Sequence, residues 1–153
     1  MGWESYKLDE YAHDLVLKYR DKDVLNETHK MRMTVAYGLE RFWGERFRLE
    51  KDKNPDKAEY WRDTWETLVN IMAKAKVKIP NDPIEVPNDW NNKEENAKYT
   101  RQLQEMADEL WKLDEKENSN NKENFNQTRR KVVLAVLTQL CDCMVWWAQR
   151  YKK

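Results

Sequence analysis

Apolar residues recur at steps of three and four along most of this chain, and no stretch shows the strict alternation typical of a half-buried strand. This spacing places apolar side chains on one face of an α-helix. Helices are predicted at 3–20, 26–50, 55–78 and 93–116, and a fifth follows a polar loop at 118–124. The sequence therefore predicts an all-α fold, a compact bundle of about five helices.

Capping residues, glycines and prolines refine these boundaries. Asn26 is a suitable N-cap, and Pro55 suits the first turn of the third helix. Gly38 and Gly44 weaken the second helix. The prolines of the stretch 79–92 exclude a helix there. We predict a single helical domain spanning 1–153, which this Pro-rich stretch could instead divide into two lobes.

The last helix is the most apolar segment of the chain. Val133, Leu137, Leu140 and Met144 form one helical stripe, and a second apolar stripe lies beside it. Because two stripes cover most of a helix circumference, we expect a buried C-terminal helix that is the most buried element of the core. Bases flank it, with six Lys or Arg against one acid.

Composition indicates a folded cytoplasmic protein. The chain has 153 residues and a mass of 18.7 kDa, enough for one well-buried core. The mean hydropathy is −1.09 and the N-terminus is polar. We expect no apolar run to reach the roughly 20 residues of a membrane span. Cys141 and Cys143 share the last helix and form no disulfide framework, which suits a reducing compartment. We predict no membrane association.

Charge is distributed unevenly although the formal net charge is zero. The segment 29–53 carries seven Lys or Arg against four acids, whereas 81–126 carries twelve acids against six bases. If the basic segments lie on adjacent faces, they form a polyanion-binding surface. The opposing interpretation is that these bases belong to solvated helix faces and pair locally with Glu. The candidate phosphate contacts are Lys30, Arg32, Arg41, Arg46, Arg48, Arg129, Arg130 and Arg150.

Metal-binding and catalytic patterns are incomplete. Glu10 and His13 have the Glu-x-x-His spacing of a di-metal helical bundle, but no second pair exists, and His13 is expected to be an ordinary surface residue. The two cysteines are better explained as core thiols than as zinc ligands. The carboxylates of the third helix, at 59, 63 and 66, have no matching acidic pair in the fourth. We predict no catalytic residues, no metal and no cofactor; a metal- or nucleotide-dependent bundle enzyme is the least favoured hypothesis.

The tryptophans are most simply core anchors. Trp61 and Trp65 lie one turn apart on the apolar face of the third helix, and the pair at 146–147 lies in the last helix. Both pairs are predicted to be in the core or at its edge. Trp43 and Trp90 are less constrained by periodicity. Either ring could contact a partner or stack on a base.

Two segments resemble a known family. The segment 141–151 (CDCMVWWAQRY) is similar to the final helix of the small helical subunits of type III CRISPR RNA-guided effector complexes, which is rich in aromatic residues and has a basic end. The segment 28–32 (THKMR), followed by Arg41, resembles that family's early helix, where a Thr precedes a basic residue and a second Arg follows about two turns later. Together these segments cover roughly a third of the chain.

The resemblance implies a non-catalytic subunit that polymerises along the complex and lines the guide–target duplex. Its partners would be guide RNA, target RNA, the other subunits and further copies of itself. The resemblance also implies that Arg32 and Arg41 contact phosphates, with Lys30 beside them. An acidic fourth helix opposite a basic surface would suit head-to-tail stacking. The alternative function is a helical protein–protein adaptor or inhibitor with no nucleic-acid role.

Overall fold

The computed structural model describes the backbone of residues 2–112 and 120–152 and the side chains of residues 7–112 and 129–152. Within these ranges the protein is helical and has no strand, which confirms the all-α prediction. Short 3-10 turns follow the first two helices, at Arg20–Lys22 and Val35–Tyr37. The helices are α1 (Gly2–Tyr19), α2 (Glu27–Thr34), α3 (Leu39–Lys51), α4 (Pro55–Lys74), α5 (Lys93–Trp111) and α6 (Asn120–Tyr151).

The predicted second helix is in fact two helices, because the chain turns at Gly38. Gly38 has φ +105° and ψ 168°, a conformation that residues with a Cβ rarely adopt. Its backbone begins α3, since Phe42 N donates to the Gly38 carbonyl. The predicted N-cap Asn26 makes no capping bond with its side chain. Asn92 does cap a helix, accepting hydrogen bonds from the backbone N–H groups of Glu94 and Glu95 at the start of α5.

Helix α4 ends at Lys74, four residues earlier than predicted, in a Schellman motif. Lys76 has φ +64°, Val77 N donates to the Met72 carbonyl at 2.8 Å, and Lys76 N donates to the Ala73 carbonyl at 3.0 Å. The Pro-rich stretch then packs on the bundle, with Ile79 buried. Buried residues before and after this stretch belong to one hydrophobic cluster.

The largest buried side chains lie on α4. Tyr60, Trp61 and Trp65 have at most 2% of their surface exposed, which confirms the core assignment of the two tryptophans. Helix α4 packs against α3, and α1 packs against α6. Tyr11 of α1 contacts Lys74 and Lys18 contacts Asp63, so α1 and α4 run antiparallel. The aromatic face of α4 and the buried stripe of α6 therefore belong to the same core cluster.

Helix α6 buries one face and exposes the other. Val133, Leu137, Leu140 and Met144 are fully buried, as predicted, but Trp146 of the pair expected in the core or at its edge is 49% exposed. The expectation that most of the circumference is covered is wrong because, among the described residues, α1 and α2 are the helices that pack extensively along α6. The predicted loop at 118–124 is also wrong from Asn120 onward, where α6 begins; residues 113–119 lie outside the described residues.

Among the described residues, the Arg129–Tyr151 part of α6 meets the length and composition of a membrane span, with a mean hydropathy of 1.4 in its most apolar window. The expectation that no apolar run reaches this length is therefore incorrect. Composition alone does not separate such a helix from the core helix of a globular bundle. Here its apolar stripe packs on α1.

Candidate nucleic-acid interface

The candidate interface lies along α2, the turn at Val35–Tyr37 and the start of α3. Helix α2 directs Met31 and Val35 into the core, so the intervening positions face outward. We call the exposed set the α2–α3 ridge. It consists of His29, Lys30, Met33, Tyr37 and Arg41.

An exposed aromatic ring and an exposed cation meet at the centre of the ridge. The Tyr37 ring is 69% exposed, and the Arg41 guanidinium carbon lies 6.0 Å from the ring centroid. Met33, one turn before Tyr37, is 70% exposed. No carboxylate of the described residues lies within ion-pair distance of Arg41. Arg41 is therefore available for an external anion, and Tyr37 offers a ring face beside it.

Lys30 is shared between the ridge and a buried acid. Its ammonium lies 3.0 Å from the Glu27 carboxylate, although the Lys30 side chain is 61% exposed. Glu27 is only 1% exposed and accepts a hydrogen bond from the Trp61 indole N–H at 3.1 Å. Lys30 thus compensates a buried charge on one side and faces solvent on the other.

Arg32 is committed to an intramolecular contact. Its Nε donates to the Asp142 carboxylate of α6 at 2.5 Å, and both side chains are partly exposed. The pair connects α2 to α6 beside the ridge. A phosphate bound here would have to compete with the Asp142 carboxylate.

Arg46 and Arg48 lie further along α3. The Arg48 guanidinium contacts Glu45 and lies 3.2 Å from Asp52. The Arg46 guanidinium lies 4.3 Å from the Phe47 ring centroid, and burial lowers its pKa. Arg48 is therefore engaged by acids near the end of α3, and Arg46 is partly buried beside Phe47.

The three predicted bases of α6 lie in different surroundings. The Arg130 side chain is 12% exposed, and its guanidinium lies 3.4 Å from Glu40. Arg129 is half-buried and lines the groove beside the Pro-rich stretch. Arg150 lies about two turns beyond Asp142, with its guanidinium 3.8 Å from the Trp146 ring centroid. Of the eight predicted bases, Lys30 and Arg41 belong to the ridge.

The carboxylates and the histidine considered for metal or catalytic sites make contacts within the protein. Asp63 accepts hydrogen bonds from Lys18 at 2.7 Å and from the Tyr19 hydroxyl, and Lys22 lies 3.6 Å from Glu59. His13 Nε2 lies 2.7 Å from the Tyr151 hydroxyl, so His13 is part of an aromatic cluster rather than an ordinary surface residue. Among the described side chains, those of residues 7–112 and 129–152, no group of three His, Cys, Asp or Glu is placed to hold a metal.

Both cysteines are internal thiols. Cys141 is buried and Cys143 is half-buried, and burial raises the pKa of both thiols. Trp43 is also buried, which excludes base stacking by its ring. Trp90 is partly buried against Tyr99, and Lys51 lies 5.6 Å from its ring centroid.

Sequence reasoning missed the aromatic half of the ridge. Tyr37 and Met33 fall off the apolar stripe of the predicted second helix, and this displacement was the available signal for exposure. Tyr37 immediately precedes Gly38, and Arg41 lies in the first turn of α3.

Comparison with known proteins gives no further guidance: no protein-family model matches this sequence, no curated protein matches it, and no solved structure matches its fold.

Proposed function

We propose that this protein is a non-catalytic small subunit of a type III CRISPR RNA-guided complex, where it contacts the backbone of guide or target RNA through the α2–α3 ridge. It acts in the cytoplasm, and its partners are RNA, the other subunits and further copies of itself. The observation that carries the proposal is the exposed pairing of Arg41 with the Tyr37 ring.

The chemistry of the ridge suits a single strand or a backbone better than a base sequence. Arginine and lysine attract phosphates, and a tyrosine face stacks on any base. In a guided complex the sequence is read by base pairing, so a protein subunit needs only such contacts. The ridge has the composition that this role requires.

Charge also supports contact between copies. Helix α5 has five acids and three bases, and Glu105 and Asp108 are exposed in its second half, whereas the ridge is basic. A neutral subunit with separated basic and acidic surfaces favours heterologous contacts, in which one surface of a copy meets a different surface of the next. In the proposal, α5 of one copy lies near the basic surface of its neighbour and leaves Tyr37 and Arg41 to RNA.

The proposal is tested by purifying the tagged full chain from its native cells and sequencing the RNA that accompanies it. We expect short guide RNAs and a polymerase-like large subunit. A chain with Tyr37→Ala and Arg41→Ala should still enter the complex but capture target RNA less tightly. The control is Arg101→Ala, which removes one exposed charge from α5. Recovery of neither guide RNA nor the large subunit would contradict the proposal.

A second candidate function, a protein–protein adaptor, is favoured by a groove between α3 and α5. The groove has a volume of about 670 Å³, and Trp111 at its rim is 50% exposed. A Cβ placed on Gly44 would meet no atom within 4 Å, so the protein itself does not require a glycine here. A close approach by an external helix would explain both features. Gly44→Trp would then abolish adaptor binding while leaving RNA binding intact.

A further inference from the structure

A second concave site lies on the other side of the bundle, where α1, the end of α4 and α6 meet. It has a volume of about 370 Å³, within the range of small-molecule sites. Leu8, Ile71, Met72, Val132 and Val136 contribute to its walls. This cleft shares no residue with the α2–α3 ridge, so the inference does not rest on the proposed RNA-binding function.

The end of α4 forms part of the cleft wall. The Schellman motif ends α4 at Lys74, and Val77, which completes the motif, lines the cleft together with Met72. Val132, on the wall formed by α6, remains 41% exposed. Apolar surface is thus left uncovered in a concave site, where an apolar ligand would remove it from water.

The mouth of the cleft is cationic. Lys74 Nζ lies 2.5 Å from the Tyr11 hydroxyl and 5.2 Å from the Tyr11 ring centroid, and Lys7 also lines the cleft. No carboxylate of the described residues lies within ion-pair distance of Lys74. A ligand carboxylate at this position would accept hydrogen bonds from both the Lys74 ammonium and the Tyr11 hydroxyl.

We infer that this cleft binds a medium-chain fatty carboxylate, with the acyl chain between α1, α4 and α6 and the carboxylate at Lys74 and Tyr11. The apolar walls contact the acyl chain, and the Lys74 ammonium and Tyr11 hydroxyl bind the carboxylate. A neutral alcohol of equal length would fill the walls but leave the Lys74 charge without a counter-ion. Charge complementarity therefore separates the proposed ligand from a general detergent.

The test compares decanoate with decanol by isothermal titration calorimetry on the full chain. Decanoate should bind the wild type about five-fold more tightly than decanol, the effect of one partly exposed charge pair. Lys74→Gln should remove that preference, whereas Lys93→Gln, an exposed lysine on α5, should retain it. Val136→Trp, which fills the cleft, should abolish binding of both.

Three outcomes would overturn the inference. These are absence of decanoate binding to the wild type, equal affinity for decanoate and decanol, or undiminished binding to the filled variant. If Val136→Trp does not fold by circular dichroism, Val132→Trp replaces it, because Val132 is already partly exposed and tolerates a larger side chain. Undiminished decanoate binding to that variant contradicts the site equally.

Discussion

Gly38 is the residue on which the turn between α2 and α3 depends. Its φ of +105° strains any residue with a Cβ, and the added atom would lie 2.7 Å from a Glu40 carboxylate oxygen. Gly38→Ala should therefore lower the free energy of unfolding by about 1–3 kcal/mol. Urea denaturation monitored by tryptophan fluorescence measures this change.

Gly44 is the matched control for that substitution. It lies inside α3, and an added Cβ meets no atom. Because alanine loses less backbone entropy than glycine in a helix, Gly44→Ala should raise the free energy of unfolding by about 0.5–1 kcal/mol. Equal effects of the two substitutions would contradict the described turn.

Asp63 should make stability depend on pH. Partial burial acts to raise the pKa of Asp63, but hydrogen bonds from Lys18 and Tyr19 outweigh it and hold the pKa below the usual range. A carboxyl whose folded-state pKa is depressed stabilises the fold above about pH 4 and loses that contribution as the pH falls through the folded-state value. The ionised form is thus the stabilising one.

Asp63→Asn should accordingly lower the free energy of unfolding by about 1–2 kcal/mol at neutral pH. The difference from the wild type should shrink as the pH falls through the folded-state pKa of Asp63, because below it both side chains are uncharged. Chemical denaturation at a series of pH values measures this, with the more exposed Asp56→Asn as control. A difference that is constant with pH would show that the Asp63 charge is not responsible.

The candidate site shows what a sequence can and cannot indicate about single residues. Basic clusters are visible in the sequence, but the partner of each base is not. Arg130 meets Glu40 across 90 positions, and Arg32 meets Asp142 across 110. Such contacts depend on the packing of distant helices, so periodicity cannot separate Arg41 from the other arginines. Tyr37 was recoverable only from its displacement off the apolar stripe.

At the scale of the elements, periodicity located the helices because each buries one face. The ends were less predictable, since two residues after the end of α3 and of α4 stands a lysine in the left-handed conformation, Lys53 and Lys76. Lysine gives no sequence signal for such a position, which glycine usually occupies. The apolar character of α6 likewise overstated its burial.

The two faces of α6 should respond differently to truncation. Leu140→Ala removes a fully buried side chain and should cost about 2–5 kcal/mol of unfolding free energy. Trp146→Ala removes a half-exposed ring and should cost less than about 1 kcal/mol. Thermal and urea denaturation of both variants measure the contrast. A larger cost at Trp146 would contradict the orientation of α6.

At the scale of the whole molecule, the net charge is zero but charged residues are distributed unevenly over the surface. The α2–α3 ridge is basic, α5 exposes acids, and the cleft at Lys74 has its own cationic mouth. The ridge, α5 and the cleft share no residue, so each surface can be changed by its own substitutions. The proposed RNA contact and the proposed fatty-acid site can therefore be tested separately.

The central claim is that the α2–α3 ridge binds RNA through charge. The most direct measurement is the affinity for unrelated single-stranded RNAs as a function of salt concentration, by fluorescence anisotropy. We predict binding that is nearly independent of sequence and weakens steeply with salt, and Arg41→Gln should reduce the slope of log K against log salt by about 0.7. Arg101→Gln should leave the slope unchanged. An unchanged slope for Arg41→Gln, or no measurable RNA binding by the wild type at low salt, would contradict the account.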